Sequence, residues 1–254
     1  MTAAASRRSR VSSASDASCA EQMHQGERVR MPLVADRAAW LASLCAGMRE
    51  VAHVGCADSP YTEELLRSGL LLHTRLVDVA RVTGIDVDEY GLALLRRELP
   101  GEHFVLADVA ADVPRSERGR YDLVLAGEVL EHVADADAFL RGCGALLRPG
   151  GGTLCVTVPN ACSPKIGLRA LAGRESVHPD HRVYYSPRTL RRTLEGAGFR
   201  VRSLASCFAP VAGRGGRIVV NPLLRAAHRA WLGPVGDGLI AVASARSNAA
   251  SIAS

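Results

Sequence analysis

The amino-acid sequence predicts an α/β protein: a doubly wound, largely parallel sheet with helices on both faces. Three observations carry this. Strand-like runs alternate with helical ones along the chain. The strand-like runs are continuously apolar, as in strands buried on two faces. Glycine or an acid recurs where those runs end. With 254 residues, 48% hydrophobic and 22% charged, the chain suffices for one domain with a full core.

The elements follow in order. Residues 36–48 (DRAAWLASLCAGM) have helical periodicity, with Ala39, Leu41, Leu44 and Cys45 along one side. Residues 50–55 (EVAHVG) read as a short buried strand stopping at Gly55, and 61–69 and 70–80 as helical pieces interrupted at Ser68 and Gly69. A second strand spans 81–88 and ends in acids; the helix after it, 89–99, closes at Pro100 and Gly101. Strands at 103–109 and 121–127 come next, then the segment EVLEHV, then a helix over 136–147 stopped by Arg148, Pro149 and Gly150. Residues 152–160 form the fifth strand, and the chain to about Tyr185 reads as irregular. Ser186 as N-cap and Pro187 in the first turn open a helix over 186–198, before a sixth strand at 199–208. A helix at 221–232 within a Gly- and Arg-rich stretch, and a last strand at 238–246, complete seven strands.

Composition narrows the class. No run reaches the 18 apolar residues of a membrane span. The seven cysteines are scattered and never spaced CxxC, which speaks against a disulfide framework or zinc site and for a reducing, cytoplasmic setting. Residues 1–30 are rich in Ser, Ala and Arg without the apolar run of a secretory signal; they read as a disordered tail, although a transit peptide shares that bias. The net charge of +5 is unevenly placed: residues 31–162 hold 12 arginines and 19 acids, whereas 163–234 hold 13 basic residues and three acids. That asymmetry points to two ligand environments, or to solvated basic helices.

In parallel sheets the ligand lies beyond the carboxyl ends of the strands. Gly55, Asp86, Asp108 and Glu128 all sit at or just past such an end. The turn VGCADSP (54–60) lets backbone approach a ligand. Asp86, an acceptor-only group, suits the two hydroxyls of a ribose, and Asp108 an exocyclic amine. Glu128 reads as opening the helix after the fourth strand, a position the helix dipole also favours.

These four turns in order resemble the class I S-adenosylmethionine-dependent methyltransferases, in the subgroup acting on small molecules. The likeness covers roughly residues 36–208, the last strand extending it to 246, and YDLVLAGEVLEHV with the strand ending at Asn160 is its most family-like part. The resemblance implies a Rossmann-like sheet of seven strands with the last antiparallel, a domain over 31–254, and acceptor-side insertions at about 161–185 and 209–236. It implies S-adenosylmethionine as cofactor, with Gly55, Cys56 and Ala57 against the methionine moiety, Asp86 and Val87 at the ribose, Asp108 and Val109 around the adenine, and Glu128 lining the pocket. The sequence departs from the family's acid and Gly-x-Gly-x-Gly turn at His53, Ala57 and Pro60. Asp86 also lies 31 residues beyond Gly55, so the extra residues around SGLLLHTRL read as an added helical turn over the site. A nicotinamide-binding dehydrogenase on the same sheet needs G-x-G-x-x-G to cradle a pyrophosphate, and GCADSP does not supply it.

Methyl transfer is an in-line displacement in which positioning supplies about 7–11 kcal/mol. A hydroxyl acceptor also gains from a general base. His178 and His181, bracketing Asp180 in ESVHPDHRVYYSP, are the base candidates, with the acid fixing an imidazole tautomer; in related enzymes this stretch borders the acceptor. Glu128, Glu131 and His132, spaced for one helix face, offer an alternative: with His178 or His181 they make a two-Glu, two-His divalent-ion site, similar to metal-assisted small-RNA 2′-O-methyltransferases and some quinone O-methyltransferases. Because EVLEH also occurs in family members without metal, the metal-free reading is preferred. Arg182, Arg188, Arg191, Arg192, Arg200 and Arg202 raise RNA as a substrate, but 4% aromatic content leaves few stacking platforms. The preferred acceptor is a small molecule, anionic in one reading, such as a sugar or natural-product intermediate methylated on oxygen. A donor-binding scaffold without catalysis is the remaining alternative.

Overall fold

The computed structural model describes residues 30–175, 178–208, 233 and 235–246. The expected helix at 221–232, nearly all of the expected tail and most of the 209–236 insertion lie outside the described residues. The elements are β1 (Leu33–Val34), α1 (Arg37–Cys45), β2 (Val51–Val54), α2 (Thr62–Ser68), α3 (Leu72–Val77), β3 (Val82–Asp86), α4 (Glu89–Glu98) and β4 (His103–Leu106). After a 3₁₀ turn at Arg115–Glu117 come β5 (Leu123–Gly127), α5 (Ala136–Leu146), β6 (Thr153–Pro159), α6 (Pro164–Leu171), α7 (Pro187–Gly196), β7 (Phe199–Cys207) and β8 (Gly238–Ala245).

The sheet runs β1-β7-β8-β6-β5-β2-β3-β4. All pairs are parallel except those of β8, which runs antiparallel to both β6 and β7. The antiparallel last strand is as expected. The eighth strand, β1, is not: it has two residues, and pairs Leu33 and Val34 with Ser206 and Cys207. A two-residue strand has no periodicity to read, so only its partner reveals it.

Alternation on the central strand divides the core. Leu123 and Leu125 of β5 pack with Leu41 and Cys45 of α1 and Leu76 of α3. Val124 and Ala126 face the other way, into a layer with Leu140 and Leu146 of α5 and Leu190 of α7. Each such leucine, fully buried, contributes about 1.5–3 kcal/mol by leaving water. Three helices start on capping acids: Asp36, Asp88 and Asp135 accept from Ala39, Tyr90 and Ala138 N–H groups. Ser186 and Thr189 close a capping box on α7.

Two further elements differ from expectation. Glu128 does not open a helix: residues 128–135 form turns and the helix begins at Ala136, behind the Asp135 cap. The backbone at Glu128 is left-handed (φ 56°) and its N–H is held by the Thr157 carbonyl at 2.9 Å, so no helical turn can start there. The stretch 161–185 is not wholly irregular, for it contains α6, signalled by Ser163 and Pro164 as N-cap and first position.

Candidate active site

β2 is the topological switch point: β3 and β4 extend to one side of it, and β5 and β6 to the other. At the carboxyl ends of these strands lies a cavity of about 530 Å³, lined by Gly55, Asp86, Val87, Asp108, Val109 and Phe139 among others. A larger cavity, about 1100 Å³, lies by Arg148–Gly152 and Thr153, where β6 begins, and is not at the strand ends where such folds bind ligands.

Gly55 forms the floor of the smaller cavity. Its φ is +78°, and its N–H donates to the Ile85 carbonyl at 2.8 Å. A Cβ at this position would overlap Val129 Cγ2, so the cradle exists only because residue 55 has none. Asp86 does two jobs. Oδ2 accepts from the Ala57 N–H at 2.8 Å and Oδ1 from the Asp88 N–H at 3.0 Å, pinning the glycine turn to the end of β3. A carboxylate has about four acceptor positions, so two remain for a diol. Asp108 accepts from the Ala110 N–H at 2.9 Å, which shapes the loop lining the cavity.

Not every expected residue faces the cavity. Cys56 and Ala57 are buried among Leu71, Leu92 and Phe104. Glu128 is not among the cavity-lining residues; its Oε1 takes Arg37 Nη1 at 2.6 Å and the Thr157 hydroxyl at 2.9 Å. Arg37, in the first turn of α1, is a residue the sequence reading missed; a lone arginine after an N-cap in an apolar helix was its only signal. The added residues 70–80 do not cover the site: α3 buries His73 and Leu76, and none of its residues lines the cavity. His73 Nδ1 meets Nδ1 of His53, which stands in the place of the family's acid, at 3.1 Å. Burial lowers the pKa of both imidazoles, that of His73 to about 4.

A second cluster adjoins the cavity. His132, which lines it, lies with its ring centroid 4.6 Å from that of His181, and His178 is 5.2 Å from His181. The Arg182 N–H donates to the Glu131 carbonyl at 2.8 Å, and the Ala161 N–H to that of Tyr185, so backbone bonds dock the 178–185 loop beside the 128–132 turn. Among the described residues, the Glu131 carboxyl is fully buried with neither oxygen hydrogen-bonded, and His181 Nδ1 is likewise buried without a partner. Burial and the Glu128 charge raise the Glu131 pKa. Burial and the two neighbouring imidazoles lower that of His181. Glu131, His132 and His181 each offer a ligand atom, all within 4.8 Å of one another. Asp180 does not set the His178 tautomer through its carboxylate, which is 3.8 Å away; its backbone N–H approaches His178 Nδ1 at 3.3 Å instead.

Residues 39–204 match the family model described as a methyltransferase domain. The chain belongs to this methyltransferase family. Its methyl donor is S-adenosylmethionine, whose ribose diol, exocyclic amine and alkyl sulfonium suit the acids and apolar walls of the cavity over Gly55. Similar proteins include a ubiquinone biosynthesis O-methyltransferase of Aeromonas salmonicida, 28% identical over 75% of this chain and 77% of that one. One from Bordetella avium is 33% identical over 56% of each chain. A SAM-dependent methyltransferase structure from Archaeoglobus fulgidus (TM-score 0.51, 18% identity, 82% of this chain and 90% of that one) shares the fold. So does the putative methyltransferase bound to the Trm112 activator of Haloferax volcanii (TM-score 0.53, 19% identity, 82% and 88%). Among the described residues no helix of this methyltransferase is long and apolar enough to cross a membrane.

Proposed function

We propose that this methyltransferase methylates a hydroxyl oxygen of a small molecule. The observation that carries the reading is His132, which lines the cavity assigned to the donor while lying against His181, so that proton-accepting groups border that cavity. A neutral imidazole is a base matched to an acidic hydroxyl, phenolic or enolic, rather than to an unassisted sugar alcohol. Burial, and then the neighbouring His132 and His178, lower the His181 pKa, which favours its neutral form. The names of the similar O-methyltransferases support oxygen as the acceptor. On this reading Asp86 and Asp108 orient the donor's nucleoside, and His178 or His181 takes the acceptor proton.

One observation favours a second mode of activation. The unpartnered carboxyl of Glu131 beside His132 and His181 fits a divalent ion, and this N,N,O donor set suits Zn²⁺ or Mn²⁺ better than Ca²⁺. Such an ion would supply Lewis-acid stabilisation of the acceptor oxyanion. Glu131, His132 and His181 would hold it, and His178 would border the acceptor.

The test is a screen of phenolic, enolic and sugar acceptors with isotopically labelled donor, read by mass gain of one methyl. Labelled oxygen-methyl product that falls steeply in His181→Ala supports the proposal. Donor binding with no methylated product from any acceptor class, or a product methylated on nitrogen or carbon, overturns it. Loss of turnover with a chelator, restored by Zn²⁺ or Mn²⁺, selects the ion-assisted mode; indifference to chelator selects the imidazole mode.

A further inference from the structure

The arginines that stand out in the sequence do not converge on the donor cavity. Arg188, Arg191 and Arg192 of α7, with Arg30 and Arg202, line a separate groove of about 570 Å³. Ser203 and Leu204 of β7 line it too. β7 is four strands from β2 in the sheet, about 19 Å at ordinary interstrand spacing. One acid, Glu195, reaches the groove, 3.6 Å from Arg191. Among the described residues, Arg30, Arg188, Arg192 and Arg202 have no acidic partner within ion-pair distance; Arg202 Nε donates to the Ser244 hydroxyl at 2.9 Å.

Among the described residues, the strand in this groove has an edge that is largely unpaired, although Met31 and Pro32 also line the groove. β1 covers β7 only at Ser206 and Cys207, and among the described residues the stretch from Phe199 to Ala205 pairs on its β8 side alone. Outward-facing N–H and C=O groups are a template for another strand. The arginines decide which strand: a second copy of this edge brings like charge and is repelled, whereas a carboxylate-bearing one is drawn in. The large exposed apolar residues, Leu168, Leu171, Tyr61 and Tyr90 among them, lie elsewhere, so the groove has neither a stacking platform for bases nor an anchor for a bilayer.

We propose that the groove between α7 and the β7 edge binds an acidic segment of a partner protein, which extends the sheet as a strand while its carboxylates pair with the arginines. The stretch has six paired positions with a bulge at Arg202, about 20 Å, enough for a segment of similar length. The proposal is independent of the acceptor assigned above.

The experiment uses the full chain and a fluorescently labelled peptide of four Glu-Val repeats, followed by anisotropy at low ionic strength. Saturable binding is expected, weakened about tenfold or more in Arg192→Glu/Arg202→Glu and similarly by N-methylation of alternate peptide nitrogens, which keeps charge but removes strand donors. If the β7 substitution disturbs folding, as judged by circular dichroism and donor affinity, Arg188→Glu/Arg192→Glu on the exposed helix serves in its place. No binding overturns the proposal. Equal binding of the N-methylated peptide also overturns it, by leaving only diffuse attraction. So does displacement of the peptide by polyuridylate or phosphatidylglycerol vesicles at lower concentrations than unlabelled peptide requires.

Discussion

Replacing Gly55 by alanine tests whether the first turn is the donor's cradle. The position has φ +78°, and the left-handed region costs a residue with a Cβ about 1–2 kcal/mol. The added methyl also overlaps Val129 Cγ2, and the turn carrying Val129 is held by the bond from the Glu128 N–H to Thr157. Overpacking of this kind costs about 1–3 kcal/mol. If the turn distorts to escape both, donor binding must restore it, and affinity falls by about two orders of magnitude or more. Val129→Ala supplies the control. It removes Cγ2 and leaves the Val129 Cβ 3.7 Å from the new methyl, an ordinary contact. The double variant therefore retains only the backbone penalty, about 5- to 30-fold. Calorimetry with S-adenosylhomocysteine on the parent, both single variants and the double variant gives the coupling energy. A Gly55→Ala protein that binds like the parent, or a double variant no better than Gly55→Ala, would refute the reasoning.

Other consequences are as specific. Asp86→Ala removes the acceptor of two backbone bonds and, in the proposed donor pose, of the diol, so donor affinity drops at least about 100-fold at 1.5–3 kcal/mol per charged hydrogen bond; an unchanged calorimetric Kd contradicts it. Glu131→Met replaces a buried carboxyl lacking partners with an apolar group of similar size. Metal-free protein gains about 1–3 kcal/mol and melts a few degrees higher while turnover falls, seen by scanning calorimetry beside activity. The folded-state pKa values of His53 and His73 lie below the unfolded one, so their contribution is complete above about pH 6.5 and is lost as pH falls towards 4. The slope is at most about 1.4 kcal/mol per pH unit for each, and urea titrations of His53→Leu/His73→Leu should show a flatter acid limb than the parent. Neutralising Arg188, Arg191 and Arg192 together leaves the acceptor KM and its salt dependence unchanged, because they line the β7 groove and not the cavity; a rise in KM places them at the acceptor after all.

Local pattern carried much of this fold. Apolar runs and capping residues located β2 to β8 and six helices to within a few residues, because periodicity and caps are properties of neighbouring residues. That Asp86, Asp108 and Gly55 line one cavity was legible for a related reason: strands running parallel through one sheet end on the same side, so residues at their ends meet without further information. Glu128 misled because an acid before an apolar run looks like a helix start, whereas its left-handed backbone (φ 56°) lies outside the helical region.

Sequence alone determined the sheet and which acids stand at the carboxyl ends of its strands. Tertiary structure decided the rest. His132 and His181 are 49 residues apart and meet because the Arg182 N–H finds the Glu131 carbonyl; Arg37 reaches Glu128 across the sheet from α1; and the arginines of α7 and β7 turn to the far edge. Those contacts depend on the path of loops and on which side of a strand a helix lands, and neither leaves a period in the chain to read.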